Sequence, residues 1–288
     1  MSYDSVFKAD LFSGKTILVT GGGSGIGRCI AHELAALGAK VVITGRKQEK
    51  LDAVAAEIRD DDGMVDTEAF DIRDEDVVAE KIAAILERTG VISGLVNNAG
   101  GQFPQLMEDM GQKGWEAVIR NNLTGGFLVS RELVRQCMAE QGGEIVNITA
   151  DNWNSMPRMG HSGAARAGMV NFTQTAAIEW AHYGIRVNAV APGTIVSSGL
   201  DTYDDAAKQR ILERKQKTPM KRYGTESEIS AMVVFLLSPA SGFISGETIR
   251  VDGAVPNMVV SYEVPDHDRS KVYDGFHRSW TPGFLRKK

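Results

Sequence analysis

Thr20-Gly21-Gly22-Gly23-Ser24-Gly25-Ile26-Gly27 is the run whose residue types and spacing commit most clearly to a chemistry. Glycine reaches positive φ and lets a backbone approach a charged group closely. The β-branched run Thr16 to Thr20 precedes it, and Ile26, Ile30, Leu34 and Leu37 follow at helical spacing. Strand, glycine turn and helix N-terminus, in that order, offer free N–H groups and a positive dipole end to a diphosphate. That context makes Gly21, Gly23, Ser24, Gly25, Ile26 and Gly27 a dinucleotide cradle rather than a flexible turn. The next strand-like run, Val41 to Thr44, ends in Gly45-Arg46-Lys47. A carboxylate there would accept from a ribose 2′-hydroxyl. None is present. Arg46 can instead grip a 2′-phosphate with two parallel hydrogen bonds, with Lys47 beside it. The expected cofactor is NADP(H) in preference to NAD(H); the plainer reading of the two cations is the solvated start of a second helix.

These residues need a frame, and the chain supplies a regular one. Strand-like runs at 16–20, 41–44, 64–70, 92–96, 144–149, 186–191 and 248–251 alternate with helical patterns, the longest at 114–139 and 163–181. That alternation implies a parallel sheet covered on both faces. The expected fold is α/β: a Rossmann-type, doubly wound, parallel seven-stranded sheet in a single domain. The domain is expected over residues 1–255, with a polar flap at 198–217 lying over a site. Residues 256–288 leave the rhythm, with Tyr262, Tyr273, Phe276, Trp280 and Phe284 among polar residues. They are expected to pack on the domain or on a neighbouring subunit.

Composition narrows the function classes. The chain has 288 residues, a net charge of −5 and two cysteines, Cys29 and Cys137. The charge gives no reason to expect a nucleic-acid partner. Two cysteines inside apolar helical patterns suit a reducing compartment. No apolar run approaches the roughly 18 residues that cross a bilayer, so no membrane partner is expected. The N-terminus lacks a signal-peptide pattern, and the ending Leu285-Arg286-Lys287-Lys288 matches no address. A cytoplasmic location is expected, and no metal site.

Thr20-Gly21-xxx-Gly25-x-Gly27, Asp71, Asn97-Asn98-Ala99-Gly100, Asn122-Leu123-x-Gly125 and Arg186-Val187-Asn188 leading to Pro192-Gly193 resemble the short-chain dehydrogenases/reductases. The resemblance spans residues 14 to about 255. It implies that Asp71 and Ile72 contact adenine and that Asn98, Ala99 and Gly100 line the adenosine side. Asn122 would hold a helix kink and a water of a proton relay. Pro192, Gly193 and Ile195 would face the nicotinamide, and Ser197 could reach the diphosphate.

The family's proton donor is a tyrosine with a lysine four residues later. Counted back from Gly184-Ile185-Arg186, those positions hold Ser162 and Arg166, and no tyrosine lies between Tyr3 and Tyr183. The family's serine position holds Ala150, beside Thr149. His161-Ser162-Gly163-Ala164-Ala165-Arg166-Ala167-Gly168, Asn98 to Phe103 and Ser261 to Asp268 resemble the peroxisomal trans-2-enoyl-CoA reductases. Ser162-xxx-Arg166 is also similar to the Ser-xxx-Lys of 2,4-dienoyl-CoA reductases, whose mitochondrial tyrosine position is Asp151 here.

Such a site still admits a chemistry. Ketone reduction needs an acid at the oxygen as hydride arrives. Reduction of a double bond conjugated to a thioester builds charge on the thioester oxygen, and hydrogen-bond donors stabilise it. Ser162 and Arg166, at i and i+4, share a helix face, and Arg166 can donate to ribose hydroxyls while staying charged. Asp151, Asn154 and the loop histidine His161 are the remaining proton-handling candidates, though Asp151 reads equally as a cap. Trp153 and Met156 suit a substrate wall. The expected activity is NADP(H)-dependent reduction of a 2-enoyl-CoA-type small molecule, with Asn122, Asp151, Ser162 and Arg166 catalytic. Two other readings stand beside it: a dehydrogenase of a hydroxyacyl-CoA or alcohol in acid or terpenoid catabolism, and a cofactor-binding protein without turnover. Family membership further implies a homo-oligomer, usually a tetramer built on the two long helices.

Overall fold

A computed structural model describes residues 2–259, 261 and 263–286. Tyr262, Lys287 and Lys288, named above, lie outside the described residues. Seven parallel strands form one sheet: β1 Thr16–Thr20, β2 Lys40–Gly45, β3 Met64–Ala69, β4 Gly94–Asn97, β5 Gly143–Ile148, β6 Ile185–Pro192 and, last in the chain, Thr248–Val251. Two short strands, β7 Ile195–Val196 and β8 Gly224–Thr225, pair separately, so the last is β9. The sheet order is β3-β2-β1-β4-β5-β6-β9. The order in which strands are added reverses between β1 and β4, which opens a crevice at their carboxyl ends.

Alternation along the strands sets the layers. Ile17, Val19, Val41, Ile43, Val96, Val146 and Ile148 join one buried cluster, with Ile30 and Leu34 of α1 (Gly25–Ala36), Leu51 and Ile58 of α2 (Gln48–Asp60), and Ile229 and Val233 of α9 (Glu226–Leu237). Leu18, Val42, Leu95 and Ile145 point the other way. They meet Val78 and Ile82 of α3 (Glu75–Thr89) and residues of the long helix that runs through α4 (Gln112–Ile119), α5 (Gly125–Leu133) and α6 (Ala139–Gln141). Ala176 and Ala177 of α7 (Gly160–Glu179) complete that layer. A side-chain period of two gives each sheet face its own core.

Three local features refine or alter the sequence expectation. The long helix contains π-helical turns at Arg120–Thr124 and Val134–Met138, one of them at Asn122. Helix α7 begins at Gly160 rather than Gly163, so His161 and Ser162 lie in its first turn and are fully buried. His161 is therefore not a loop residue; Met159 supplies no side-chain cap that would have marked this start. The flap at 198–217 is a 3₁₀ turn, Ser198–Thr202, followed by α8, Asp205–Lys217.

The C-terminal segment packs on its own chain. The Phe276 ring is buried, 5.7 Å from Tyr3 and 5.0 Å from His32. Arg278 pairs with Asp61 at 3.1 Å, and the Asp4 amide donates to the Gly275 carbonyl at 2.9 Å. Cys29 lies in the same cluster, and Cys29 and Cys137 are both buried free thiols. Among the described residues, no helix is long and apolar enough to cross a membrane.

Beneath this seam Glu226, in the first turn of α9, is buried with one carboxylate oxygen unpartnered. Burial, against the opposing pull of Arg28 and with the help of Asp274, pushes its pKa up to about 7. Between the ordinary 4.5 and about 7 the folded chain then holds a proton that the unfolded chain has lost. Stability falls as pH rises across that window and levels off above it, by roughly 3 kcal/mol. Glu226→Gln is expected to remove most of that loss. Melting temperatures compared at pH 5 and pH 8 check it: a difference that persists unchanged in the variant would contradict the assignment to Glu226.

Candidate active site

The turn after β1 forms the first wall of the crevice. Gly25 has φ +58°, and a Cβ there would find nothing closer than Glu226 Oε1 at 3.9 Å, so the space before it is open. Gly27 is the opposite case. A Cβ on Gly27 would collide with the Gly21 carbonyl oxygen and the Asn98 side-chain amide. Gly27 thus allows α1 to press against the turn, and it does not reach the crevice. Thr20 and Asn98 lock the neighbouring loop: Thr20 Oγ1 accepts from the Asn98 and Ala99 amides, both at 3.0 Å, and Asn98 Nδ2 donates to the Thr20 and Gly21 carbonyls.

A cavity of about 580 Å³ follows this wall. Gly21, Gly23, Ser24, Gly25 and Ile26 line it from the turn, and Arg46 and Lys47 from the end of β2, with Lys50 added from α2. Side chains of these three cations form no hydrogen bond or salt bridge among the described residues. Asp71, Ile72, Asn98, Ala99 and Gly100 continue the wall, and Arg166, Pro192, Gly193 and Ser197 close its far end. The Asp71 carboxylate is held by Arg73, whose hydrogen bonds pull its pKa down. An open glycine turn at a helix N-terminus, with unpaired cations at one end, fits a phosphorylated dinucleotide.

At the far end a hydrogen-bond network, buried at Asn122 and Ser162 and open to solvent at Gln102, gathers residues from several elements. Asn122, in its π turn, clasps Gly101: its Nδ2 donates to the carbonyl at 2.7 Å and its Oδ1 accepts from the amide at 2.9 Å. The same Oδ1 accepts from Arg166 Nη2 at 3.1 Å, and Arg166 Nη1 donates to the Ile148 carbonyl at 2.7 Å. Burial pulls the Arg166 pKa down to about 10, which leaves it cationic at neutral pH. Ser162 Oγ donates to Gln102 Oε1 at 2.5 Å, and Gln102 Nε2 donates to the Tyr203 hydroxyl at 3.1 Å. Neither Ser162 nor Asn122 reaches the wall of a cavity. His161 stacks edge-on against Phe103 at 4.6 Å, and burial lowers its pKa, favouring the neutral ring.

A second cavity, about 600 Å³, adjoins the first. Asp151, Asn154, Met156 and Ile195 line it. Burial and then the Asp252 carboxylate raise the Asp151 pKa. Helix α8 presents one face to it, with Ala207 and Ile211 buried and Arg210, Arg214 and Lys217 exposed. Arg158 joins them from the 151–159 loop. Trp153 is instead half-exposed beneath the Arg250 guanidinium and lines neither cavity. The two cavities share Ile26, Gln102, Ala150, Pro192, Gly193, Ser197, Leu200 and Tyr203. Chemistry between two ligands is confined to that common wall.

The structure thus brings Asn122, Ser162 and Arg166 into one network and sets Asp151 apart, on the second cavity. Sequence reasoning missed Gln102 and Tyr203. Their signals were slight: Gln102 follows the Asn98–Gly101 turn, and Tyr203 is an aromatic residue within the polar flap.

Comparisons with known proteins agree with this architecture. The family described as "Enoyl-(Acyl carrier protein) reductase" matches residues 21–255. A probable 2,4-dienoyl-CoA reductase of Bacillus subtilis is 36% identical, over 83% of this chain and 95% of the relative. The 3-oxoacyl-[acyl-carrier-protein] reductase of Thermotoga maritima is 33% identical, over 84% of this chain and 98% of its own. Among solved structures, a citronellol catabolism dehydrogenase of Pseudomonas aeruginosa superposes with a TM-score of 0.79 at 56% identity, covering 88% of this chain and 99% of that one. An actinorhodin polyketide ketoreductase solved with NADPH gives 0.80 at 29% identity, covering 87% and 100%. With the doubly wound sheet, the glycine turn at its switch point and these matches over most of its length, the chain belongs to the short-chain dehydrogenase/reductase family, an oxidoreductase family.

Proposed function

We propose that this protein is an NADP(H)-dependent reductase of a 2-enoyl thioester carried on coenzyme A. The observation that carries the reading is the second cavity: an apolar interior next to the dinucleotide groove, bordered by Arg158, Arg210, Arg214 and Lys217. An acyl chain suits the interior, and the carrier's phosphates suit cations whose side chains make no hydrogen bond or salt bridge among the described residues. NADP(H), when bound, supplies or accepts a hydride. Gly21, Gly23, Ser24, Gly25 and Ile26 would hold its diphosphate, with Ser197 alongside. Arg46 and Lys47 would hold its 2′-phosphate, and Asp71, Ile72, Asn98, Ala99 and Gly100 its adenosine side. Arg166, Pro192, Gly193 and Ile195 would border the nicotinamide end. Asn122 and Ser162 act from behind the wall, by fixing Arg166 and Gln102.

Ser162 and Arg166 standing four residues apart, where the family's tyrosine and lysine are expected, also favour a conjugated double bond over a ketone. Charge that develops on a thioester oxygen can be met by hydrogen-bond donors. The decisive assay mixes the protein with NADPH and crotonyl-CoA or a longer 2-enoyl-CoA and follows the nicotinamide absorbance. Loss of the NADPH signal supports the reading; turnover only of hydroxy substrates with NADP would replace it. That second reading, a dehydrogenase of a hydroxyacyl-CoA or alcohol in acid or terpenoid catabolism, is favoured by the 56% identity with the citronellol catabolism dehydrogenase.

Cofactor choice has its own test. Gly45→Asp places a carboxylate at the end of β2, beside Arg46. It is expected to lower NADPH affinity about tenfold or more and to narrow or reverse the preference over NADH, since the new carboxylate repels the like-charged 2′-phosphate. Fluorescence titration with both cofactors reads it. An unchanged ratio would contradict the assignment of the 2′-phosphate to this corner.

A further inference from the structure

Two ligands that exchange atoms must meet on the wall that their cavities share. Of the eight shared residues, Gln102, Ser197 and Tyr203 carry polar side chains, and Tyr203 alone has a titratable one. The other proton-bearing candidates sit elsewhere. The Ser162 hydroxyl is buried and donates to Gln102. The His161 ring is fully buried against Phe103. Asp151 borders the second cavity only, and Arg166 the first only.

Tyr203 follows the 3₁₀ turn Ser198–Thr202 and so rides on the flap, well away in sequence from the helix of Ser162 and Arg166. Its oxygen accepts from Gln102 Nε2, an acceptor role that leaves the phenolic proton free to be donated. Gln102 is in turn fixed through its Oε1 by Ser162 Oγ. The chain Ser162–Gln102–Tyr203 therefore aims a proton-bearing phenol at the junction of the cavities. We propose that Tyr203 is the general acid of this site, delivered by the flap and positioned by Gln102 and Ser162.

The assignment rests on the enoyl-thioester reading for its balanced form. NADPH, when bound, would supply the hydride: its nicotinamide C–H bond would break as a C–H bond forms at the β-carbon. The double-bond electrons move toward the thioester carbonyl and give an enolate. The Tyr203 O–H bond then breaks, its proton bonds to the α-carbon, and the phenolate regains a proton from solvent. The substrate gains two electrons and two hydrogens, and the cofactor is oxidised.

Tyr203→Phe keeps the ring and removes only the donor. It is expected to lower kcat with crotonyl-CoA at least about 100-fold, in the range of general-acid effects. NADPH affinity by fluorescence titration should stay within about twofold of the parent, because the hydroxyl is asked to act on the substrate alone. Gln102→Leu, which removes only the positioning, should lower kcat about tenfold with KM for the thioester nearly unchanged. An independent readout needs no turnover: nitration of Tyr203 by tetranitromethane, mapped by mass spectrometry, should be slowed by NADPH because Tyr203 borders the cofactor groove. A Tyr203→Phe protein with the parent kcat, or nitration indifferent to NADPH, would overturn the proposal. If the parent protein reduces no enoyl thioester, the functional reading fails on that result. The nitration experiment then still decides whether Tyr203 stands at the cofactor.

Discussion

Arg166→Ala is expected to cost about 2–4 kcal/mol of stability and to weaken NADPH binding at least tenfold. The guanidinium spans the Ile148 carbonyl and Asn122 Oδ1, at 2.7 and 3.1 Å. Removing it leaves the Ile148 carbonyl without the charged donor it now has, and hydrogen bonds to charged groups contribute about 1.5–3 kcal/mol each. Asn122 keeps its contact with the Gly101 amide, so its loss is the smaller of the two. A cation is also removed from the far end of the dinucleotide groove. Arg166→Lys, which keeps charge and one donor but not the planar fork, should recover part of the affinity and less of the stability. Thermal melting and NADPH titration on the same samples separate the two effects. An Arg166→Ala protein that melts and binds like its parent would remove Arg166 from the site.

Gly27→Ala should be comparably damaging for a different reason. The added methyl group meets the Gly21 carbonyl oxygen and the Asn98 amide from a helix that is held in place, because α1 packs on β1 and β2 and lies beside α9 in the same layer. Overpacking of this kind costs about 1–3 kcal/mol, which lowers the melting temperature by several degrees in a domain of this size. The turn carries the proposed diphosphate ligands, so NADPH affinity should fall at least about tenfold with it. Gly25→Ala meets open space but must hold φ +58°. It should strain the backbone by about 1 kcal/mol and disturb binding more than packing. A Gly27→Ala protein with parental melting and binding would show that the helix does not need this close approach.

The contrast between those two glycines marks how far sequence can be read. The sheet was legible because short apolar runs such as Ile17, Leu18 and Val19 alternate along the chain with helical patterns. The glycine-lined wall of the first cavity was legible as a turn at a helix N-terminus because it is one local run, and local runs carry their own conformational signal. The start of α7 at Gly160 was not, since no capping side chain marks it; the kink expected at Asn122 came from the family resemblance, and no shift in composition marks it as a π turn. The strands β7 and β8, two residues each, are too short to show a period. At the far end of the crevice the obstacle is distance along the chain. Gln102 meets Ser162 across 60 residues and Tyr203 across 101. Spacing along one helix can suggest Ser162 with Arg166, but no pattern in the sequence pairs a loop glutamine with a flap tyrosine.

Equilibrium titration of the purified, folded protein with NADPH and with NADH tests the central claim most directly. Saturable binding of NADPH, at least about tenfold tighter than NADH through the charged grip on the 2′-phosphate, is the result predicted by a diphosphate seated on the first helix and a further phosphate beside Arg46. Failure of both nucleotides to associate would contradict it.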